Sequence, residues 1–168
     1  MGSQNTLAPR AGALRRSESF PSSHRVPFGG ALHISEHLLQ RIVAHAASTY
    51  PAECCGLLVG YGDQVQAAEP ARNVYALACG DRFQIDPLDH VRIFESARMA
   101  GQRIIGCYHS HPEGMARPSS IDRQHAREFG GPFGYLVVAI DGDGFWDIYS
   151  GRIEPDGQIV AVELIRNA

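Results

Sequence analysis

Two histidines and an aspartate in one short stretch are the residues of this sequence best suited to binding a metal ion. The stretch reads GCYHSHPEGMARPSSID and contains His109, His111 and Asp122. Because side chains alternate across a β-strand, both imidazoles point to the same side if HSH lies on a strand. Two imidazoles and one carboxylate leave one position of tetrahedral zinc open to water, which is typical of catalytic zinc sites.

A metal-dependent hydrolase also needs a proton acceptor, and the sequence leaves two candidates. Glu53 precedes the apolar run CCGLLVG, where burial is expected to favour the protonated carboxyl. Glu113 is nearer to the histidines in sequence, but it lies in the loop after them. An H-x-H motif alone is weak evidence for a metal, and Asp122 could serve only as an acidic residue at a helix start. The joint spacing favours the metal site.

The segments PAECCGLLVG and HSHPEGMARPSSID together resemble the JAMM (MPN+) metalloprotease family. Its signature is a glutamate, then H-[ST]-H-P, then S-x-x-D at fixed spacing, and every position of it is occupied in this chain. The resemblance extends roughly from residue 31 to residue 165. The sequence contains neither H-E-x-x-H nor the P-C-x-x-C of zinc deaminases, which excludes two other zinc enzyme classes.

The resemblance assigns a role to each signature residue. It implies that His109, His111 and Asp122 bind zinc. Glu53 is implied to take a proton from the attacking water and pass it to the leaving amine, and Ser119 to stabilise the oxyanion of the tetrahedral intermediate. Ser119 is also a helix-cap candidate, and the two roles are compatible.

Three neighbouring side chains are expected to have other roles. Ser110 should form a supporting hydrogen bond on the opposite face of the strand. His125, one turn beyond the aspartate, is interpreted as a solvated helix residue rather than a ligand. The adjacent thiols Cys54 and Cys55 are interpreted as packing residues rather than nucleophiles.

The fold implied by the resemblance is the α/β MPN (JAMM) fold, a mixed curved β-sheet flanked by helices and similar to that of cytidine deaminases. The implied reaction is hydrolysis of an amide or isopeptide bond after the C-terminal glycine of a ubiquitin-like sulfur-carrier protein, for example with release of cysteine. The short chain resembles the compact bacterial group associated with cysteine biosynthesis. Two alternatives stay open: an isopeptidase that removes ubiquitin-like modifiers from lysines, and a non-catalytic MPN scaffold. The intact ligand set argues against the scaffold.

Composition limits the kinds of partner that we expect for this chain. A formal charge of −3 from 15 basic and 18 acidic residues does not favour nucleic-acid binding. No apolar run reaches the roughly 18 residues of a membrane-spanning helix. The four cysteines (Cys54, Cys55, Cys79 and Cys107) are interpreted as reduced thiols of a cytoplasmic protein. The expected partner is a sulfur carrier that ends in Gly-Gly, and a homodimer is possible.

The element pattern predicts a disordered arm over residues 1–30 and one domain over 31–168, because the arm has few large apolar residues. ISEHLLQRIVAHAASTY predicts a helix capped by Ser35 with Leu38, Leu39, Ile42, Val43 and Ala46 on one face. A second helix is predicted from Pro87 to Gly101, with Val91, Phe94, Ala97 and Arg98 on one side. A third is predicted between Ser119 and Gly130.

The remaining patterns predict strands. CCGLLVGYG and RIIGCYHSH suit buried strands, whereas QVQAAEPARNV and DRFQID suit more exposed ones. The runs YLVVAI, FWDIYS and QIVAVELI predict three final strands, separated by DGDG and EPDG turns.

Overall fold

The computed structural model of the chain describes residues 29–76, 82–129 and 131–168. The elements in chain order are β1 (Ala31–Ser35), α1 (Glu36–Thr49), β2 (Cys55–Tyr61), β3 (Gln64–Ala71), α2 (Pro87–Met99), β4 (Arg103–Pro112), α3 (Ser120–Phe129), β5 (Phe133–Ile140), β6 (Trp146–Ile153), β7 (Ile159–Ala161) and β8 (Glu163–Asn167). The eight strands form one sheet in the order β7-β6-β5-β4-β2-β3-β1-β8.

The sheet is mixed and strongly curved. β4 lies at its centre, antiparallel to β2 and parallel to β5. Arg152 on β6 donates a hydrogen bond of 2.9 Å to the carbonyl of Gly29, just before β1, although four strands separate β6 from β1 in the sheet order. The predicted α/β fold, a mixed curved sheet flanked by helices, is confirmed.

Helix α1 forms as predicted. The Ser35 hydroxyl caps it by accepting the N–H of Leu38 at 3.2 Å, which satisfies one of the unpaired donors of the first turn. The buried residues of the helix are the five that the periodicity indicates: Leu38, Leu39, Ile42, Val43 and Ala46.

Side-chain alternation along β4 divides the core into two clusters. Tyr108 belongs to the cluster that contains the apolar face of α1. Cys107 belongs to the cluster on the other face, with Ile93 and Ala97 of α2 and Ala126 of α3. Since successive residues of a strand alternate faces, His109 and His111 lie on the α2 and α3 side. Two helices therefore border the histidines while α1 supports the opposite face.

Two predictions about local structure are wrong. DRFQID does not form a strand: of its described residues, only Ile85 makes a β-bridge, to Asn73, because Asp86 already caps α2 by accepting the N–H of Leu88. The predicted side of α2 is buried only at Ala97, while Val91 and Phe94 of that side are exposed. The buried residues of the helix are Ile93 and Ala97, and Val91 is 61% exposed.

The termini of the sheet also differ from the prediction. Ala31–Ser35 forms a strand that the pattern did not indicate, and the run QIVAVELI forms two strands rather than one. β7 pairs with β6, whereas β8 pairs with β1 at the other edge. An alternating run is compatible with either partner, and the split falls at Val162, whose N–H still donates to the Ser150 carbonyl of β6.

Some predictions fall outside the described residues, namely the arm over residues 1–28, Cys79 and Gly130. Of the cysteines that the structure describes, Cys54, Cys55 and Cys107 are free buried thiols. Over the described ranges, every helix is too short or too polar to cross a membrane.

The crossing of β2 and β4 provides a test of the packing. A Cβ added at Gly56 would lie 2.4 Å from the Tyr108 ring and 2.5 Å from the Glu69 carbonyl oxygen. We therefore expect Gly56→Ala to lower the free energy of unfolding by about 1–3 kcal/mol in denaturant titrations. Gly30→Ala is the matched control, because a Cβ there has no heavy atom within 4 Å. Equal stability of the two variants would contradict this packing.

Candidate metal centre

β4 and the first turn of α3 bring the three predicted ligands together. The His109 Nε2 and His111 Nε2 atoms are 2.9 Å apart. The Asp122 carboxylate lies 3.2 Å from His109 Nε2 and 3.3 Å from His111 Nε2, through its two different oxygens. Of the residues that the structure describes, these three are the ones that form a potential metal-binding group of His, Cys, Asp or Glu.

These separations fit a tetrahedral metal ion. Ligand distances of about 2.0–2.2 Å, as for zinc bound to His and carboxylate, imply separations between ligand atoms of about 3.3–3.6 Å. The separations of 3.2 and 3.3 Å are close to that range, and the 2.9 Å between the two nitrogens is slightly shorter. The donor set, two neutral imidazoles and one carboxylate, also suits zinc.

Neighbouring groups orient two of the ligands. The Nδ1 atom of His111 lies 3.0 Å from the carbonyl oxygen of Met115. Nδ1–H therefore donates to that carbonyl, which leaves the lone pair of Nε2 directed at the site. Asp122 accepts the backbone N–H of Ser119 at 2.6 Å, and its own N–H donates to the Ser119 hydroxyl at 3.1 Å. Ser119 is thus the predicted helix cap.

The electrostatics favour a neutral His109 and an ionised Asp122, whereas the pKa of His111 is raised, so this imidazole must release its proton to bind a metal. Burial lowers the pKa of His109, outweighing the effect of Asp122, so this imidazole is neutral. Burial lowers the pKa of His111 too, but hydrogen bonds to Asp122 and to the Met115 carbonyl raise it overall. Burial alone would raise the pKa of Asp122, but hydrogen bonds from both histidines hold it well below its usual range. The carboxylate is therefore an anion at neutral pH.

Glu53 is placed by the continuation of the pairing between β2 and β4. Cys55 pairs with His109, and one step further the Ser110 N–H donates to the Cys54 carbonyl at 3.1 Å. The Cys54 N–H donates to the Ser110 hydroxyl at 2.8 Å, as predicted for Ser110. The next pair in this register is Glu53 with His111.

The side chain of Glu53 lies on the ligand side of the sheet. Cys54 packs into the cluster around α1, so by alternation its neighbour points to the opposite face, towards His109 and His111. Glu53 is 5% exposed, and its negative charge contributes to raising the pKa of His111. A buried carboxylate next to the ligand set is suited to proton transfer.

Glu113 has a different environment from that of Glu53. Its carboxylate accepts the Tyr50 hydroxyl at 2.6 Å and the Gly142 N–H at 3.0 Å. The backbone of Glu113 has a φ of 54°, and its N–H donates to the Ile140 carbonyl. The residue therefore ties the loop after His111 to the end of β5, and we assign it this structural role.

The other sequence candidates lie close to the site without joining the ligands. His125 is half-buried on α3 and lines a groove rather than the ligand cluster. Burial raises the pKa of Cys54 to about 11 and that of Cys55 to about 12. Thiols that stay protonated at neutral pH are poor nucleophiles, which supports their interpretation as packing residues.

Sequence reasoning missed three residues at the site. Phe83 stacks on His109 with ring centroids 4.3 Å apart, and Tyr135 lies on the same imidazole at 5.3 Å. Asn73 is buried and donates to the carbonyl of Glu53 at 3.0 Å. An aromatic or amide side chain far away in sequence has no local pattern that links it to a ligand, so only the fold reveals these contacts.

A groove of about 1030 Å³ lies beside the ligands, between α2 and α3. Phe83 and Cys107, which are both close to His109, line it, so one end of the groove adjoins the metal centre. Most of its lining is apolar, including Leu57, Phe94, Ile104 and Phe133. Such a groove suits an extended or apolar segment of a macromolecule.

Comparisons with known proteins agree with this geometry. Residues 35–149 match the family described as prokaryotic homologs of the JAB domain. A desampylase of Haloferax volcanii is 41% identical over 99 residues, which are 58% of this chain and 69% of that protein. A probable TtuB-protein conjugate cleaving protease of Thermus thermophilus is 28% identical over 137 residues, 82% of this chain and 85% of that one.

A solved structure shows the same fold. The solution structure of a protein from Desulfitobacterium hafniense has a TM-score of 0.69 and 28% sequence identity to this chain. It covers 81% of this chain and 92% of its own. The family match contains Glu53, both histidines and Asp122, so the similarity includes the whole candidate site.

The ligand geometry predicts metal binding. We expect the purified chain to bind about one Zn²⁺, measured by elemental analysis after dialysis, and the double variant His109→Ala, His111→Ala to lose it. Removal of two ligands should lower the zinc affinity by more than the 10–100-fold that is typical when a residue hydrogen-bonded to a ligand is removed. His37→Ala is the control, since His37 is exposed on α1, away from the ligands. Stoichiometric zinc in the double variant would place the ligands elsewhere.

Proposed function

Because the chain belongs to the prokaryotic homologues of the JAB domain, which are of the JAMM type, we propose that it is a zinc-dependent hydrolase acting on ubiquitin-like proteins. It cleaves the amide or isopeptide bond that follows their C-terminal glycine. The observation that carries this proposal is the convergence of His109, His111 and Asp122 on one point, with the buried Glu53 next in register to His111. A scaffold protein does not need a buried proton acceptor at this place.

The three ligands would hold zinc, and each has a means of staying in place. When bound, zinc supplies Lewis acidity and makes water a nucleophile near neutral pH. His109 is fixed between Phe83 and Tyr135, and His111 by its hydrogen bond to Met115. Ligands fixed in this way need little rearrangement to bind the metal, which favours affinity.

Glu53 and Ser119 supply the proton transfer and the oxyanion contact. Glu53 accepts a proton from the attacking water and later delivers it to the leaving amine. The Ser119 oxygen accepts the Asp122 N–H, which uses a lone pair and leaves the hydroxyl hydrogen available as a donor. That hydrogen stabilises the negative charge that develops on the carbonyl oxygen of the scissile bond.

An extended substrate tail could pair with a free backbone edge next to the metal centre. β4 itself is paired with both β2 and β5, so the strand that carries the histidines cannot pair with a peptide. The Val74 N–H donates to the Gln84 carbonyl, and the Asp86 N–H to the Arg72 carbonyl. In this pattern the N–H and C=O of Ile85 point away from Asn73.

Ile85 therefore offers one backbone donor and one acceptor to an extended chain. The same residue lines the groove beside the metal centre. We propose that the C-terminal tail of the substrate lies there as a short added strand. A Gly-Gly terminus suits this position because glycine has no side chain to separate its backbone from the metal.

Protein conjugates are the first candidate for the leaving group, in line with the conjugate-cleaving relative. A carrier–cysteine adduct is the second candidate, and the segment RNVYALACGDRFQIDPLDH supports it, since it resembles the compact sulfur-carrier group. A cytoplasmic location is proposed with either substrate, because the free thiols Cys54, Cys55 and Cys107 suit a reducing compartment. Mass spectrometry of the products from the two substrates distinguishes the candidates.

Glu53→Gln separates chemistry from metal binding. The amide keeps the shape of the side chain but cannot accept the proton, so we expect a loss of roughly 10²–10⁴-fold in kcat with unchanged zinc content. Glu113→Gln is the matched control. Its amide oxygen still accepts from Tyr50 and Gly142, so we expect nearly full activity. If Glu53→Gln kept full activity and Glu113→Gln lost its activity, Glu113 rather than Glu53 would be the proton-transfer group.

The identity of the final residue of the tail tests the substrate. A carrier ending in Gly-Gly, joined to a lysine side chain or to cysteine, should be hydrolysed much faster than the same carrier ending in Gly-Val. A valine side chain would keep the backbone of the tail away from the metal, so we expect a decrease of at least about 10²-fold in kcat/KM. Gel and mass analysis measure both substrates. Equal cleavage of the two tails would indicate a general peptidase.

A further inference from the structure

Asn73 uses the full hydrogen-bonding capacity of its side chain in a buried position. Nδ2 donates to the carbonyl of Glu53 at 3.0 Å and to the carbonyl of Arg82 at 3.1 Å. Oδ1 accepts the N–H groups of Tyr75 and Gln84, both at 3.0 Å. An amide has two donors and two acceptor sites, so each is paired with a different backbone group. The side chain is therefore held in one orientation.

Three of these bonds close the segment between β3 and α2. The backbone rungs Val74 to Gln84 and Asp86 to Arg72 join the base of that segment, and the Asn73 amide adds contacts to Tyr75, Arg82 and Gln84 above them. Without the amide, buried backbone groups would lose their partners, which is unfavourable. The Asn73 side chain and the backbone rungs at the base thus together fix the described residues of this segment.

The segment carries groups that face the metal centre. Phe83 is buried and stacks on His109 at 4.3 Å with an angle of 22° between the rings. Ile85 carries the outward-pointing N–H and C=O, and Tyr75, Phe83, Gln84 and Ile85 all line the groove. A shift of the segment would therefore displace Phe83, which packs on His109. It would also displace the backbone edge of Ile85 next to the proposed substrate path.

The fourth bond connects the same amide to the backbone of Glu53. This residue lies just before β2, where the regular ladder has ended and the Cys54 N–H is already bonded to a side chain, Ser110. The Glu53 carbonyl and the Cys54 N–H belong to the same peptide unit, so the Asn73 amide and the Ser110 hydroxyl hold its two edges. The position of a proton-transfer group matters strongly, since a misplacement of about 1 Å can lower the rate about 10²-fold.

We propose that Asn73 is a positioning residue, which locks the Glu53 backbone and the segment that carries Phe83 and Ile85 into one rigid unit beside the metal centre. The assignment rests on the proposed function, in which Glu53 transfers the proton. In this assignment the site depends on a residue, Asn73, that is not part of the family signature. Metal ligands and base alone are not sufficient, because their relative position depends on an amide outside the signature.

Asn73→Asp is the sharpest variant. A carboxylate has nearly the same shape and still accepts from Tyr75 and Gln84, but it cannot donate to the carbonyls of Glu53 and Arg82. We expect kcat to fall about 10²-fold, with the zinc content unchanged. Asp89→Ala is the control: Asp89 accepts the Arg72 N–H at the base of the same segment, whereas the Glu53 carbonyl is bonded to the Asn73 amide. Its kcat should stay within about twofold of that of the native chain.

A double-variant cycle separates positioning from a general loss of stability. If Asn73 acts through Glu53, then Asn73→Asp should cost less than about threefold in a Glu53→Gln background, since the group that it positions is already inactive. An equal loss in both backgrounds, loss of zinc, or an equal effect of Asp89→Ala would overturn the assignment.

Amide hydrogen exchange tests the same claim without an assay of activity. In Asn73→Asp, exchange should accelerate near Cys54 and Phe83 and stay unchanged in α1. If the native chain hydrolyses no ubiquitin-like substrate and these regions still loosen together, the proposed function fails and the positioning role holds. Unchanged exchange near Cys54 would overturn the positioning role whatever the activity.

Discussion

The antiparallel register between β2 and β4 is the constraint on which the site depends. It pairs Cys55 with His109, continues through the bonds between Cys54 and Ser110, and so puts Glu53 next to His111. Because side chains alternate in a strand, a slip of one residue would turn the base or both histidines to the α1 side of the sheet. Gly56, packed under Tyr108, lies within this same ladder.

The site also concentrates polar groups inside an apolar core. His109 is fully buried, and Asp122 is 5% exposed. Buried polar groups are unfavourable unless they are paired. Here Asp122 is paired with both imidazoles and with the Ser119 backbone, and His111 also with the Met115 carbonyl, whereas the buried His109 Nδ1 has no hydrogen-bond partner among the described residues. The same contacts fix the side chains in the arrangement that a metal needs. Around them, Phe83 and Tyr135 exclude water from one imidazole, which strengthens the electrostatic interactions of the site.

The features that the sequence predicts correctly are those in which local chemistry decides. Helix α1 follows from its cap at Ser35 and its apolar spacing, and the proximity of His109, His111 and Asp122 follows from alternation along β4 and from the capped start of α3. The errors arise where tertiary contacts decide. The split at Val162 depends on which sheet edge lies near, and the buried side of α2 depends on how the helix packs beside the groove. Asn73 has no local signal at all, since its four partners extend from Glu53 to Gln84.

The family signature and the structure therefore explain different parts of the site. The signature points to the groups that we propose to hold the metal and move the proton, and the structure shows the contacts around them: the β2 and β4 ladder, the Ser119 cap and the Asn73 amide. Relatives that share the signature can differ in the residues that line the groove and in the segment between β3 and α2. Substrate preference is expected to reside there, because loops and grooves vary more readily than a buried ladder.

The central claim is that hydrolysis requires one metal ion held by His109, His111 and Asp122. Its most direct measurement is a titration of chelator-treated protein with Zn²⁺, with metal occupancy and hydrolysis of a Gly-Gly carrier joined to lysine followed in the same samples. We expect no hydrolysis without metal and a linear rise in rate that saturates at about one equivalent of Zn²⁺. Full hydrolysis by the metal-free chain, or a rise that continues well beyond one equivalent, would contradict it.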